Sequence, residues 1–297
     1  MKIPIVFLGT GQAIPTARRN HVAILLSYSS ENILVDCGEG TQRQFRRAGI
    51  NPCSLTKILI THWHGDHILG LPGLLQTLAL NGYNKELKIY VPQGTKNFME
   101  QIFNMFIFQG KLKYKIEEVE GKFLENKDFI LEAGRMSHGT SCNAYSFTEK
   151  DKLRIDKKKL KKMKIKGKLI GDLARGKDIQ FNGKTIRASQ LTYKQEGRKI
   201  TFILDTRVND NAIKIAKNSD LLICESTYMK EEKDLAERYG HLTAGQAADI
   251  AKKSNSKKLV LLHISQRYEY KEKAILQEAK KVFKNTIIAE DLDRVEV

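Results

Sequence analysis

Cysteine is scarce: only 4 occur in 297 residues, at Cys37, Cys53, Cys142 and Cys224, far apart and in no CxxC pair. That spacing excludes a disulfide scaffold and a thiolate zinc site, and it fits reduced thiols in a cytoplasmic setting. Any metal must therefore be held by histidine and carboxylate. Proline is also rare, at 5, and with 41% hydrophobic and 29% charged residues a collagen-like or disordered chain is excluded. No run approaches the roughly 18 to 20 apolar residues that a membrane helix requires. The first apolar stretch, Ile3 to Leu8, contains Pro4 and runs into Gly9-Thr10-Gly11, so neither a secretory leader nor a membrane partner is expected. Acidic residues are the scarcer charge. The balance of 51 Lys and Arg against 34 Asp and Glu leaves a net +17, which favours a polyanionic partner such as nucleic acid or an anionic lipid surface, and composition alone does not choose between them.

Short apolar, β-branched runs recur at Ile3 to Leu8, Ile33 to Val35, Lys57 to Ile60, Leu87 to Val91, Ile200 to Leu204, Leu221 to Cys224 and Leu259 to Leu262. They read as strands buried on both faces. Longer helical patterns lie around Thr41 to Ala48, Leu69 to Leu80, Thr95 to Phe108, Asp210 to Lys217, Ala244 to Lys253 and Glu272 to Val282. The alternation predicts one α/β domain over 1–297, in which two sheets lie between two helix layers. The rhythm breaks from Glu149 to Asn182, where apolar content drops and Gly167, Gly171 and Gly176 fall close together. Within it, Lys150 to Lys168 holds eleven Lys or Arg and two Asp, about half of the whole surplus. We read 149–182 as an inserted basic arm; as a charge run alone it would be a solvated face.

The chemistry is concentrated after the strand that starts at Lys57, in His62-Trp-His-Gly-Asp-His67. His62 and His64, two residues apart, can point the same way, while Gly65 lets the backbone turn so that Asp66 and His67 face a neighbouring centre. Further donors follow or end other apolar runs: His138, Asp205 and His263. Loops at strand ends are where α/β folds place their sites. The grouping that follows is His62, His64 and His138 on one ion, Asp66, His67 and His263 on a second, and Asp205 bridging them. Imidazole and carboxylate without thiolate suit two Zn²⁺, with Mn²⁺ or Fe as competitors. Two ions about 3.5 to 4 Å apart stabilise both the attacking and the leaving oxygen of a displacement at phosphorus. Asp66 is placed to orient or deprotonate the attacking water. His241, before a predicted helix, and Glu225, at a strand end, are the unspent pair for proton donation to the leaving oxygen; read alone, Thr243 or His241 merely caps the helix and Glu225 is a surface turn residue.

This HxHxDH pattern with the distributed His138, Asp205 and His263 resembles the metallo-β-lactamase superfamily. Its narrower similarity is to ribonuclease Z, the tRNA 3′-processing endoribonucleases, through His263-Ile-Ser-Gln-Arg-Tyr268, His241-Leu-Thr243, Phe7-Leu-Gly-Thr-Gly11 and Val35-Asp-Cys-Gly-Glu-Gly-Thr-Gln42. The resemblance implies a four-layer αβ/βα sandwich and the same ligand set, with Asp66 as proton acceptor and Glu225 with His241 as the proton-donating pair. It further implies a homodimer that cuts precursor tRNA after the discriminator base, leaving a 3′-hydroxyl on the tRNA and a 5′-phosphate on the trailer. The arm glycines Gly167, Gly171 and Gly176 match the family's GPxxGxxxxG pattern except for Lys168 in place of proline, which makes the arm the tRNA-gripping element. In the loop resembling PxKxRN, Arg19 and Asn20 match, but Ala17 stands where a lysine senses the 3′ end. Arg267, four residues after His263, is expected to hold a substrate phosphate. His21 is left as structural or part of the substrate loop. Two other readings stay open: a small-molecule phosphodiesterase or thioester hydrolase of the same superfamily, indifferent to the arm, and a non-catalytic RNA-binding protein with structural ions.

Overall fold

The near-continuous apolar runs do become strands covered on both faces. In the computed structural model, which describes residues 2–107 and 112–297, they build two seven-stranded mixed sheets. The first runs in the order Arg294–Glu296, Pro4–Gly9, Ala23–Tyr28, Glu31–Val35, Lys57–Leu59, Glu86–Val91, Lys113–Glu118. The second runs Thr286–Ile288, Leu259–Leu262, Leu221–Glu225, Lys199–Ile203, Asn143–Glu149, Phe129–Arg135, Gly121–Glu125.

Side-chain alternation assigns the faces. Val6, Leu8, Leu25, Leu34, Ile58 and Ile89 share one buried cluster with Leu71, Leu74, Leu78 and Met99 of the helices Leu71–Leu80 and Lys96–Met105. Their alternates Ile5, Phe7, Ile24, Leu26 and Val35 are equally buried but lie outside that cluster, on the face toward the second sheet. Contacts between the sheets include the Tyr28 and Phe147 rings, 5.1 Å apart, and the Tyr145 hydroxyl donating to Ile60 O at 2.7 Å. The second sheet buries Leu222, Leu259 and Leu261 against Ala247, Ala248 and Ala251 of helix Ala244–Lys253. Four layers result. The expected helix from Thr95 to Phe108 is observed as Lys96–Met105; Phe108 itself lies outside the described residues. No helix among the described residues is long and apolar enough to cross a membrane.

A second compact unit comprises residues 126–130 and 148–198, longer than the arm expected at 149–182. It is more than a charged extension. Strands Lys152–Ile155 and Thr192–Gln195 pair antiparallel, and a second hairpin pairs Ile179–Phe181 with Lys184–Ile186. Asn182, expected as the end of the insertion, is half of that hairpin's two-residue Asn-Gly turn, with both residues at positive φ (51° and 73°). Six buried apolar residues, Ile165, Leu173, Ile179, Ile186, Ala188 and Leu191, give the unit its own small core. Their wide spacing among lysines hid them from a reading of composition.

Candidate metal centre

In both sheets the parallel strands deliver the chemistry at their carboxyl ends. Asp36 follows Glu31–Val35, His62 follows Lys57–Leu59, Asp205 follows Lys199–Ile203, Glu225 ends Leu221–Glu225, and His263 follows Leu259–Leu262. His138 joins them from the turn between Phe129–Arg135 and Asn143–Glu149. Asn143 N donates to Thr61 O at 2.9 Å, tying that turn's end to the histidine loop. Asp36 and His263 adopt left-handed backbone conformations (φ 56° and 57°), which non-glycine residues keep only where their surroundings hold them.

The donors fall into two groups that share Asp205. In the first, His62 Nε2 and His138 Nε2 lie 3.0 and 3.1 Å from His64 Nδ1, and Asp205 Oδ2 is 3.5 Å from His62 Nε2. In the second, Asp66 Oδ2 is 3.3 Å from His67 Nε2 and 3.2 Å from His263 Nε2, with Asp205 Oδ1 also 3.2 Å from His263 Nε2. All seven expected ligands are thus brought together, in the expected grouping.

Two observations test whether this set fits metal ions. His67 Nε2 and Asp205 Oδ1 are buried and, although charged neighbours lie 3.2 to 3.4 Å away, form no aligned hydrogen bond with them, a costly arrangement unless something else sits between. The electrostatics also lack a cation. Burial alone would push His67 down, but Asp205, Asp66 and Asp36 hold its imidazole well above the usual range. Against burial, His67 and His263 hold Asp66 far below the ordinary carboxylate range. Burial, with His67 close by, drives His62 the other way, toward the neutral imidazole that serves as a ligand. The residues therefore fit divalent cations.

Three of the histidine ligands are oriented from behind, as metal-bound histidines are. The imidazole Nδ1 of His67 donates to Asp36 Oδ2 at 2.6 Å, and Thr61 Oγ1 donates to the same oxygen at 2.7 Å. His138 Nδ1 donates to Gly240 O at 2.9 Å. His263 Nδ1 lies 2.9 Å from Thr227 Oγ1, which in turn donates to Glu225 Oε2 at 2.7 Å. Sequence reading missed Asp36, Thr61 and Thr227 in these roles. Only Asp36 carried a signal, a lone acid directly after a buried strand. Gly38 in the same loop is required by space, because a Cβ there would meet Asp66 O at 2.3 Å.

On the open side, marked by exposed His64, His241 Nδ1 lies 3.2 Å from Glu225 Oε2 and 3.8 Å from Asp205 Oδ2. Burial lowers the His241 pKa, but Glu225 and then Asp205 outweigh it and the net is a rise to about 9. Helix Ala244–Lys253 is capped by Thr243, whose Oγ1 accepts from Gln246 N at 3.2 Å while Gln246 Oε1 accepts from Thr243 N at 2.8 Å. The reading of His241 as a helix cap is thereby removed, and Glu225 is fully buried rather than a surface turn.

The expected substrate contacts divide. Arg267 is exposed, with its guanidinium 5.3 Å from the Tyr228 ring centroid, and that ring is 6.0 Å from His241. Gly167, Gly171 and Gly176 lie in the second unit around helix Lys168–Ala174, Gly167 and Gly176 at positive φ. Arg19 departs from expectation. It is 5% exposed, and its Nη1 donates to Thr10 Oγ1 and Ala289 O, both at 2.7 Å, so the guanidinium is an internal brace. Asn20 is likewise occupied, Nδ2 donating to Glu39 O at 2.6 Å. His21 is buried and packs its backbone against Gly9 and Gly38, a structural place.

The brace around Arg19 is completed by Asp291, which accepts from Thr10 Oγ1, Asn20 N and Gln44 Nε2, each at 2.8 Å. Thr10 O accepts from His263 N at 2.9 Å. Asp291→Ala strips three donors of their acceptor and Arg19 of a counter-charge, so we expect about 3 kcal/mol of destabilisation, read as a lower midpoint in urea unfolding.

The comparisons with known proteins agree with this geometry. Residues 3–170 match the family model described as Anti-Pycsar protein Apyc1. The chain is 39% identical over 293 residues to the ribonuclease Z of Nanoarchaeum equitans, covering 98% of this chain and 92% of that protein. It is 40% identical over 301 residues to the ribonuclease Z of Bacillus cereus, covering 97% of each. Among solved structures, the short form of human tRNase Z superposes with a TM-score of 0.72 at 27% identity over 98% of both chains. The metallo-β-lactamase fold protein YhfI of Bacillus subtilis, at 19% identity and TM-score 0.72 over 100% of this chain and 99% of that one, shares the fold. Full-length identity and fold agree on the assignment: the chain belongs to the ribonuclease Z family of metallo-β-lactamase fold, metal-dependent phosphodiester hydrolases.

Proposed function

We propose that this protein is the endoribonuclease that removes the 3′ trailer from precursor tRNA, cutting after the discriminator base, in the cytoplasm and as a homodimer. The observation that carries the reading is the pair of donor groups sharing Asp205, with a Glu225-backed His241 on their open side. His62, His64 and His138 would hold one ion and Asp66, His67 and His263 the other; two Zn²⁺ suit this oxygen and nitrogen set. Divalent ions held there would supply a water of lowered pKa and stabilise charge on the phosphate oxygens.

The remaining work belongs to the protein's own groups. Asp66 orients the attacking water and accepts its proton. Glu225 binds the Nδ1 side of His241 and stabilises the imidazolium, so that Nε2 carries the proton given to the departing 3′ oxygen. That transfer leaves a 3′-hydroxyl on the tRNA and a 5′-phosphate on the trailer. Arg267, steadied on the Tyr228 ring, pairs with a backbone phosphate. The second unit, whose helix Lys157–Lys162 carries five lysines, holds the duplex part of tRNA by its backbone and shape.

The decisive assay uses an end-labelled precursor tRNA with a 3′ trailer and zinc-loaded protein. A single cut after the discriminator is expected; intact RNA alongside rapid hydrolysis of a small phosphodiester would replace the reading by the small-molecule one. Changing Lys157, Lys158, Lys161 and Lys162 to glutamine should weaken tRNA binding and flatten its salt dependence, by roughly 0.7 to 0.9 in the log–log slope for each phosphate that is no longer neutralised. Filter binding across a salt series measures both.

A further inference from the structure

Two residues before His241, a helix ends in an aromatic side chain that is not hidden. Tyr239 closes helix Lys233–Tyr239 and is 53% exposed. Single exposed apolar residues are ordinary on soluble proteins. Tyr239 differs in rigidity and in company. Gly240 follows it in a left-handed cap (φ 77°), with its carbonyl bound to His138, and His241 N donates to Ala236 O at 2.8 Å. Arg207, two residues after Asp205, braces the same turn: its Nε donates to Glu237 O at 2.8 Å. The ring is therefore held on a backbone pinned to two site histidines. The Arg238 guanidinium lies 5.6 Å from its centroid, and that of Arg267 lies over a different ring, Tyr228, which is 6.0 Å from His241.

An exposed, rigid ring beside an arginine is what unpaired nucleotides use: bases stack on aromatic planes while arginines take the phosphates. We propose that Tyr239 is the stacking platform for the unpaired base next to the scissile phosphate, with Arg238 and Arg267 on the flanking backbone. The subsite rests on the endoribonuclease reading. Because His241 delivers its proton to the 3′ oxygen of the discriminator nucleotide, the base closest to Tyr239 is the discriminator itself. The contact is to a π-face, so it accepts any base and rejects only the lack of one.

The test compares two precursor tRNAs, one with a normal discriminator and one with an abasic site there, cleaved by the zinc-loaded wild type and by Tyr239→Ala, Tyr239→Phe and Tyr239→Trp. Metal content, melting temperature and oligomeric state are measured for each protein. The wild type should prefer the base-bearing RNA by about tenfold in kcat/KM, the effect of one stacked base. Tyr239→Ala should bring that preference close to one, while the aromatic variants keep it. Equal slowing of both RNAs by Tyr239→Ala, an unchanged preference, or a changed oligomeric state would overturn the proposal, the last by assigning the ring to contacts between copies. Wild-type protein that leaves both RNAs intact while hydrolysing a small phosphodiester would instead remove the endoribonuclease reading beneath it.

Discussion

Asp66→Ala should lower kcat for precursor tRNA cleavage by about a thousandfold or more while leaving tRNA affinity nearly unchanged. Its Oδ2 lies 3.3 Å from His67 Nε2 and 3.2 Å from His263 Nε2, in the second donor group. Removing it takes away a proton acceptor, worth about 10² to 10⁴ in rate, and a ligand together. Asp66→Asn separates the two, since the amide keeps an oxygen donor but accepts no proton. Single-turnover cleavage gives the rate, filter binding the affinity, and metal analysis the ion count per chain. If both variants cleave within tenfold of wild type, Asp66 is not the proton acceptor. Stripping the metal with a chelator should abolish cleavage in the same assay, and adding Zn²⁺ back should restore it.

The second large effect belongs to Glu225. Burial pushes the His241 imidazole down, and Glu225 first and Asp205 second raise it to about 9. An acid must be protonated to act, so the rate is sustained below that pKa and lost as pH rises through it. In Glu225→Gln the raising charge is gone while the amide still offers Thr206 N the acceptor that the carboxylate now provides at 2.7 Å. The alkaline limb of the rate profile should therefore move to lower pH, with the rate at slightly alkaline pH down about a hundredfold. His241→Ala should abolish the limb. A Glu225→Gln limb that stays in place or moves to higher pH would remove the proton-donating pair.

Much of this site was readable from the chain because its donors are local or mark strand ends. His62, His64, Asp66 and His67 lie within one hexapeptide, and His138, Asp205 and His263 each follow or end an apolar run. A strand buried on both faces announces itself by composition, and its end is where a polar residue first becomes admissible. The contacts behind the ligands are different. Thr61, Thr227 and the carbonyl of Gly240 are ordinary residues whose task is set by what lies across the pocket, 102 residues away in the His138 to Gly240 bond. Arg19 shows the converse, a charge in an expected substrate loop that the fold turns inward onto Thr10 and Ala289.

What the sequence determined by itself was the donor chemistry, the α/β layering and the position of the basic insertion, since each rests on residue type and on periodicity along the chain. Tertiary structure alone decided which atoms meet: that Asp205 is shared, that Asp36 sits behind His67, that Glu225 is buried against His241, and that the second unit extends to Arg198 around six widely spaced apolar residues. The physical reason is that hydrogen bonds, charge pairs and close packing act between atoms a few ångströms apart in space, a proximity that spacing along the chain does not encode.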